Sequence, residues 1–265
     1  MSFQQAVRVR RGSIGRDHPD VAVSLVKVGI AQLLLRQFDE ALVSFREALS
    51  VRRHALGHLH PSTARIYNNI GCVHVEFNEL REARRAFESA LDVQRNAICY
   101  EPETPELLFG AATTLCNLGY LYTYRGAHGK TCLVLKEAFE LQQQVFGPSN
   151  STVLSILDSL ADAYGRTGDN ANASNTYKEI IKRLENRDHG KMYEVSSQKK
   201  RALAVIKYKL SKIHRKQNDF DSAVKLLRES IRFVEDLGDP VLLKKVEDEI
   251  NGVEEHMKKN DLDWL

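Results

Sequence analysis

The stretch "ALSVRRHALG", Ala48–Gly57, decides the fold because it recurs. "AVRVRRGSIG" (Ala6–Gly15) precedes it by 42 residues, and "ALDVQRNAIC" (Ala90–Cys99) follows it by 42. The segments that come next repeat as well. "DHPDVA" starts at Asp17 and "LHPSTA" at Leu59, so Pro19 and Pro61 are also 42 apart. Self-similarity at such a period marks an array of small supersecondary repeats, each of which buries its apolar face only against its neighbours.

Within each repeat the side-chain sizes recur in order. A small residue, used below as a marker, stands at Gly29, Gly71, Gly119, Ala161 and Ser211. Twelve residues on come Ala41, Ala83, Thr131, Ala173 and Ala223, and four beyond those Phe45, Phe87, Leu135, Tyr177 and Leu227. Three further are Ala48, Ala90, Ala138, Ile180 and Ser230. Small residues let two antiparallel helices approach, and the large apolar residue fills the space beside them. Each repeat therefore reads as helix A, a turn and helix B. The markers are spaced 42, 48, 42 and 50 residues apart, which puts insertions ahead of helix A in repeats three and five.

Seven residues after each marker the chain must turn. The residues there are Arg36, Asn78, Gly126, Gly168 and Asn218, four of them types that accept a left-handed helix end. This reading disposes of "RGAHGKT", Arg125–Thr131, whose end mimics a phosphate-binding loop. The first glycine of that motif belongs at position 124, where Tyr124 stands, and no strand-like alternation precedes it. Gly126 is a turn residue, Lys130 lies in the first turn of helix B, and Thr131 replaces the packing alanine.

Composition agrees with an all-α array. Of 265 residues only six are proline, 43% are hydrophobic and 28% charged, and the net charge of +3 gives no bias toward nucleic acid. Cys72, Cys99, Cys116 and Cys132 form no CxxC pair, which argues against zinc and suits a reducing, cytoplasmic compartment. No apolar run reaches membrane-spanning length. The first sixteen residues carry four arginines and no acid, as import presequences do, so mitochondrial or plastid import stays open, although the repeat claims the same residues. No nucleophile elbow or His-Glu-x-x-His appears, so no catalysis, cofactor or metal is expected; His54, His58 and His60 cluster at a junction of loop and helix end.

The helix-pair unit with small-large-small packing resembles the tetratricopeptide repeat. The period of 42, the "ALG…HPS" junction, "QFDEALVSFREALSVRR" (Gln37–Arg53) and "YNNIG" (Tyr67–Gly71) resemble the kinesin light chain subtype, over roughly residues 6–185. The resemblance implies an α-solenoid with a right-handed superhelix. It would comprise a half repeat at 4–15, five helix pairs at about 17–57, 59–99, 103–147, 148–188 and 195–237, and a capping segment at 239–265. The opening half repeat is a helix B without its helix A, which suggests either a fragment or a different pairing. In "DPVLLKKVEDEINGVEEHMKKN" (Asp239–Asn260), Val241, Leu242, Val246, Ile250 and Val253 fit one apolar face of the cap.

The resemblance further implies that helix A lines a concave groove for short peptides. Groove-facing positions lie six, three and two before the marker and one, four and five after it. Repeat one is mostly apolar there, with Val23, Val26, Lys27, Ile30, Leu33 and Leu34. In repeats two and three the candidates are Arg65, Asn68, Asn69, Asn117, Tyr120 and Tyr124, of which the asparagines can clamp an extended backbone or bond neighbouring helices. In repeats four and five they are Arg166, Lys209, Lys212, Arg215 and Lys216, cations that can hold acidic ligand side chains or stand solvated. The arginine pairs Arg10/Arg11 and Arg52/Arg53, continued by Gln94/Arg95, ladder along helix B and are expected to cover apolar surface and pair with acids. The implied function is a non-catalytic adaptor for a protein or peptide partner bearing acidic and aromatic residues, cargo-adaptor-like. The alternative is a constitutive subunit held through its convex face and ends. The tail "NDLDWL", Asn260–Leu265, offers Trp264 and two acids either as a self-ligand for a groove or as packing on the last helix pair.

Overall fold

The computed structural model describes residues 3–185 and 196–262, and every regular element among them is a helix. The helices are α1 (Phe3–Ile14), α2 (Pro19–Leu34), α3 (Phe38–Leu56), α4 (Pro61–Glu76), α5 (Leu80–Tyr100), α6 (Pro105–Tyr124) and α7 (His128–Phe146). They continue with α8 (Ser151–Thr167), α9 (Asn170–Glu185), α10 (Ser197–Lys216), α11 (Phe220–Leu237) and α12 (Pro240–Leu262). The even-numbered helices from α2 to α10 are the A helices and their successors the B helices. The chain divides into two compact units, Met1–Val145 and Phe146–Leu265.

The histidine-proline entries have a direct mechanical role. His18 and His60 are N-caps whose Nδ1 accepts from the backbone N–H of Asp20 and Ser62, each at 3.2 Å. Pro19 and Pro61 follow at the first helical position, where no N–H is needed. Each A helix then ends in the same left-handed residue. Arg36, Asn78 and Asn218 have φ of 60°, 58° and 59°, and Gly126 and Gly168 have 70° and 85°. Around Asn78, its own N–H bonds the Val75 carbonyl at 2.9 Å and that of Glu79 bonds the His74 carbonyl at 2.8 Å, which satisfies the last carbonyls of α4. Arg36 adopts this conformation without the help of a glycine; its guanidinium lies 5.6 Å from the centroid of the Phe38 ring.

Packing in the N-terminal unit follows the size ladder. α1 lies on α2, and α2 to α6 pack in chain order, each on the next. A Cβ built on Gly29 would stand 2.6 Å from the Phe45 ring, one on Gly119 would stand 2.8 Å from Leu135, and one on Gly71 would strike Phe87. Ala41, Ala83, Thr131, Ala48, Ala90 and Ala138 are all buried where the paired helices cross. Val7 of the half repeat is buried in the same core as Val21, Phe45 and Ile66.

The C-terminal unit uses the same ladder with other sizes. α8 packs on α9, α9 on α10, α10 on α11 and α11 on α12. Ala161, Ala173, Tyr177 and Ile180 are buried, as are Ser211, Ala223, Leu227 and Ser230, whose hydroxyl donates to the Ala204 carbonyl at 2.9 Å. α12 caps the unit: Val246 and Val253 are fully buried with Leu227, and Leu242 and Ile250 pack beside them. Val241, assigned above to the same face, is instead 65% exposed, because it stands about 140° around the helix from Val246, and Leu242 takes that end of the apolar stripe. Residues 263–265, and with them Trp264 and the self-ligand question, lie outside the described residues.

The extra length of repeat three does not form a loop. α6 starts fourteen residues before its marker Gly119, whereas α2 and α4 start ten before Gly29 and Gly71. α5 also runs ten residues past Ala90, whereas α3 runs eight past Ala48. All six added residues lengthen helices, since helix propagation costs little once both ends are packed. Ala83 sits at the crossing of α4 and α5 with no exposed surface. Replacing it with Leu should overpack that crossing and destabilise the protein by about 1–3 kcal/mol, measured by thermal melting; a wild-type melting temperature would disprove the register.

Candidate functional site

The A-helix faces are stitched by a hydrogen bond that recurs at one register. In the N-terminal unit Asn117 Nδ2, two before its marker, donates to Asn68 Oδ1 at 3.0 Å and lies 3.8 Å from Cys72 Sγ. Asn68 is three before the preceding marker and Cys72 one after it. In the C-terminal unit Lys209 occupies the same register. Its Nζ donates to Asp158 Oδ1 at 2.7 Å and Asp162 Oδ2 at 2.8 Å, again three before and one after the preceding marker. A donor two before the marker thus inserts between two residues of the previous A helix.

Asn69 is the donor at the junction of repeats one and two. There the register puts Val26 and Ile30 where Asn68 and Cys72, or Asp158 and Asp162, stand elsewhere. Both are apolar and belong to the core around Phe45. The result is visible in the amide: Asn69 Nδ2 is buried and has no hydrogen-bond partner among the described residues. An unsatisfied buried donor costs about 1–3 kcal/mol. On A helices of the same unit, Leu34 of α2 and Tyr120 and Tyr124 of α6 are exposed by 79%, 62% and 63%. Arg65, one turn before Asn69 on α4, is exposed and makes no ion pair among the described residues. The face is therefore apolar and aromatic, with one uncommitted amide and one uncommitted cation.

The C-terminal cations are differently placed. Burial disfavours the charged form of Lys209, but hydrogen bonds to Asp158 and Asp162 outweigh it and hold the ammonium above its ordinary pKa. Burial raises the Asp158 carboxyl, and Lys209 only partly offsets it. The Tyr177 hydroxyl donates to Asp162; burial and that acceptor push the phenol well above its usual range. Arg215 pairs with Glu249 of α12 at 2.7 Å, with Lys212 at 3.8 Å from the same carboxylate and 4.4 Å from the Tyr208 ring centroid. Lys216 Nζ donates to the Gly165 carbonyl at 3.1 Å. Each of these four cations has a partner inside its own unit, whereas Arg166 is exposed. Sequence reasoning grouped Asn117 and Lys209 with Asn69 because it read each A helix singly. Aligning each donor with the markers of the preceding repeat separates Asn69 from the other two.

Several other polar side chains are paired within the fold. Arg95 holds Glu137 through two contacts of 2.8 Å, and Arg11 pairs with Glu47, so helix B arginines link successive B helices. His60 is spent on its cap, His58 accepts from Arg53 at 2.5 Å, and no group of three metal-type ligands occurs among the described residues. No described helix is long and apolar enough to cross a membrane. Burial pushes the Cys116 thiol up to about 11, and burial followed by the charge of Glu76 raises that of Cys72, whereas Cys99 is exposed.

The tetratricopeptide repeat family model matches residues 1–54, 33–96 and 110–186, and the chain belongs to that family. Among solved structures it is similar to BtubC (BKLC) from P. vanneervenii at 19% identity, over 90% of this chain and 89% of that one, with a TM-score of 0.68. It is similar to nearly identical TPR-like repeats from Podosopora anserina, named for the kinesin light chain, at 15% identity, over 82% and 96%, with a TM-score of 0.64. YrrB, described as a TPR protein with an unusual peptide-binding site, aligns at 14% identity over 94% and 98%, with a TM-score of 0.58. No curated protein sequence matches the chain.

Two outcomes follow from this geometry. Asn69→Leu should melt at or above the wild-type temperature, because it removes an unpaired donor, whereas Asn117→Leu should cost about 1–3 kcal/mol by stranding Asn68. Equal effects would contradict the register. At pH 8 a thiol with a raised pKa holds little thiolate, so iodoacetamide should label Cys99 well before Cys72 and Cys116, read by peptide mass mapping.

Proposed function

We propose that the protein is a non-catalytic adaptor that binds an extended peptide of a partner across the A-helix face of its N-terminal unit. The observation that carries this reading is the buried, unpartnered amide nitrogen of Asn69 on an A helix of a unit whose other A helices expose Leu34, Tyr120 and Tyr124. A peptide backbone offers alternating donors and acceptors, and rotating the Asn69 amide outward lets it pair with both while ending its unsatisfied burial. Leu34, Tyr120 and Tyr124 would receive apolar or aromatic side chains, and Arg65 an acidic one. Family membership supports the reading, since these repeats present extended binding surfaces. The 42-residue period and the histidine-proline caps favour the kinesin light chain subtype and a cargo-adaptor-like role. The cations of α10 contribute to the stability of their own unit in this account.

Selection from a random displayed-peptide library against the wild-type chain tests it. Enriched peptides should carry aromatic or aliphatic residues beside an acid. Their affinity should fall tenfold or more in Asn69→Leu, a variant expected to stay folded. Ligands indifferent to both Asn69→Leu and Tyr120→Ser would overturn the proposal.

A further inference from the structure

A second polar site lies away from the A-helix face, at the edge where A helices turn into B helices. Arg81, Arg84 and Arg85 of α5, Tyr122 and Arg125 at the end of α6, and Lys130 of α7 line one cavity of about 410 Å³. Five of these six are cations, and no carboxylate lines the cavity. Arg81, Arg85 and Arg125 form no ion pair among the described residues, and Lys130 has only the face of the Tyr122 ring, 5.7 Å away. Arg84 reaches Glu88 at 3.7 Å, and its Nε is buried without an acceptor. Elsewhere Lys209, Arg215 and Arg95 each hold a carboxylate.

The repeat itself provides the control. At the register of Arg81, Arg84 and Arg85, repeat one carries Asp39, Leu42 and Val43, and repeat four Ala171, Ser174 and Asn175. Where repeat three has Arg125 and Lys130, repeat two has Phe77 and Glu82. The fold thus does not require these cations. One of them opposes it: Lys130 stands in the first turn of α7, which holds no acid and where the helix macrodipole favours negative charge, whereas Arg81 shares the first turn of α5 with Glu82. Like charges gathered in one cavity are unfavourable unless an anion completes them.

We propose that this cavity binds a phosphate dianion carried on a side chain of a partner protein. Arginine forks match phosphate oxygens bidentately, and four arginines with one lysine and an aromatic wall suit a doubly charged tetrahedral group better than a single carboxylate. The site is independent of Asn69 and of the peptide face. It also gives Arg125 and Lys130 of the "RGAHGKT" stretch a phosphate-binding role with no nucleotide loop.

The probes are a glycine-flanked phosphoserine peptide, its serine counterpart, inorganic phosphate and a single-stranded oligonucleotide, each titrated into the full chain at matched ionic strength. The phosphoserine peptide should bind at least tenfold more tightly than the serine form and more tightly than inorganic phosphate. Arg81→Gln/Lys130→Gln should abolish that preference, and Asn69→Leu should leave it intact. In phosphate-free buffer the double variant should melt no lower than wild type, which separates loss of the site from loss of the fold. Equal binding of the two peptides, unchanged binding by the double variant, preferential binding of inorganic phosphate or of the oligonucleotide, or a lower melting temperature would each overturn the proposal.

Discussion

Everything in this molecule depends on the contact of a small residue on helix A with a large one on helix B. Where the marker is Gly71, the ring of Phe87 occupies the space that a Cβ would need. Gly29 receives Phe45 and Gly119 receives Leu135 in the same way. That approach sets the distance between the paired helices, buries Ala83 and its equivalents at the crossing, and fixes which residues of helix A face outward. Because packing at this density tolerates little slippage, the register of every polar group follows from it.

The hydrogen bonds along the A helices are the first consequence. Once the markers are aligned, the residue two before one marker meets the residues three before and one after the previous marker. Polar partners there give a neutral amide pair at Asn117 and Asn68, or a charged triad at Lys209, Asp158 and Asp162. Apolar partners, Val26 and Ile30, leave Asn69 unsatisfied. A geometric rule that stabilises two junctions therefore leaves a third with binding capacity to spare.

Much of the fold was legible in the sequence because it repeats. The 42-residue period, the turn residues and the proline entries each correspond to a local event, a left-handed end or a cap, that a single segment encodes. Arg36 was the exception among turn residues, since its type does not announce a left-handed conformation. The insertion in repeat three was legible as length but not as helix, because helical extension depends on packing at both ends. Val241 was misplaced because Leu242 beside it, four residues before Val246, is the one that continues the buried stripe. The candidate site was half legible. Asparagine and lysine on the A helices stood out by type, but their partners are 47–51 residues away, and only three-dimensional register tells a committed donor from a free one. The cation cavity was invisible for the same reason, since its members come from two repeats.

The central claim is that the small residue and its large partner act as one unit. A double-mutant cycle on Gly71→Ala and Phe87→Leu, with stabilities from denaturant unfolding, tests this directly. Each single change should destabilise the protein. The double variant should be less destabilised than the sum by about 1 kcal/mol or more, because the smaller side chain makes room for the added methyl. Effects that add to within about 0.5 kcal/mol would contradict the account, since residues that do not touch behave in that way.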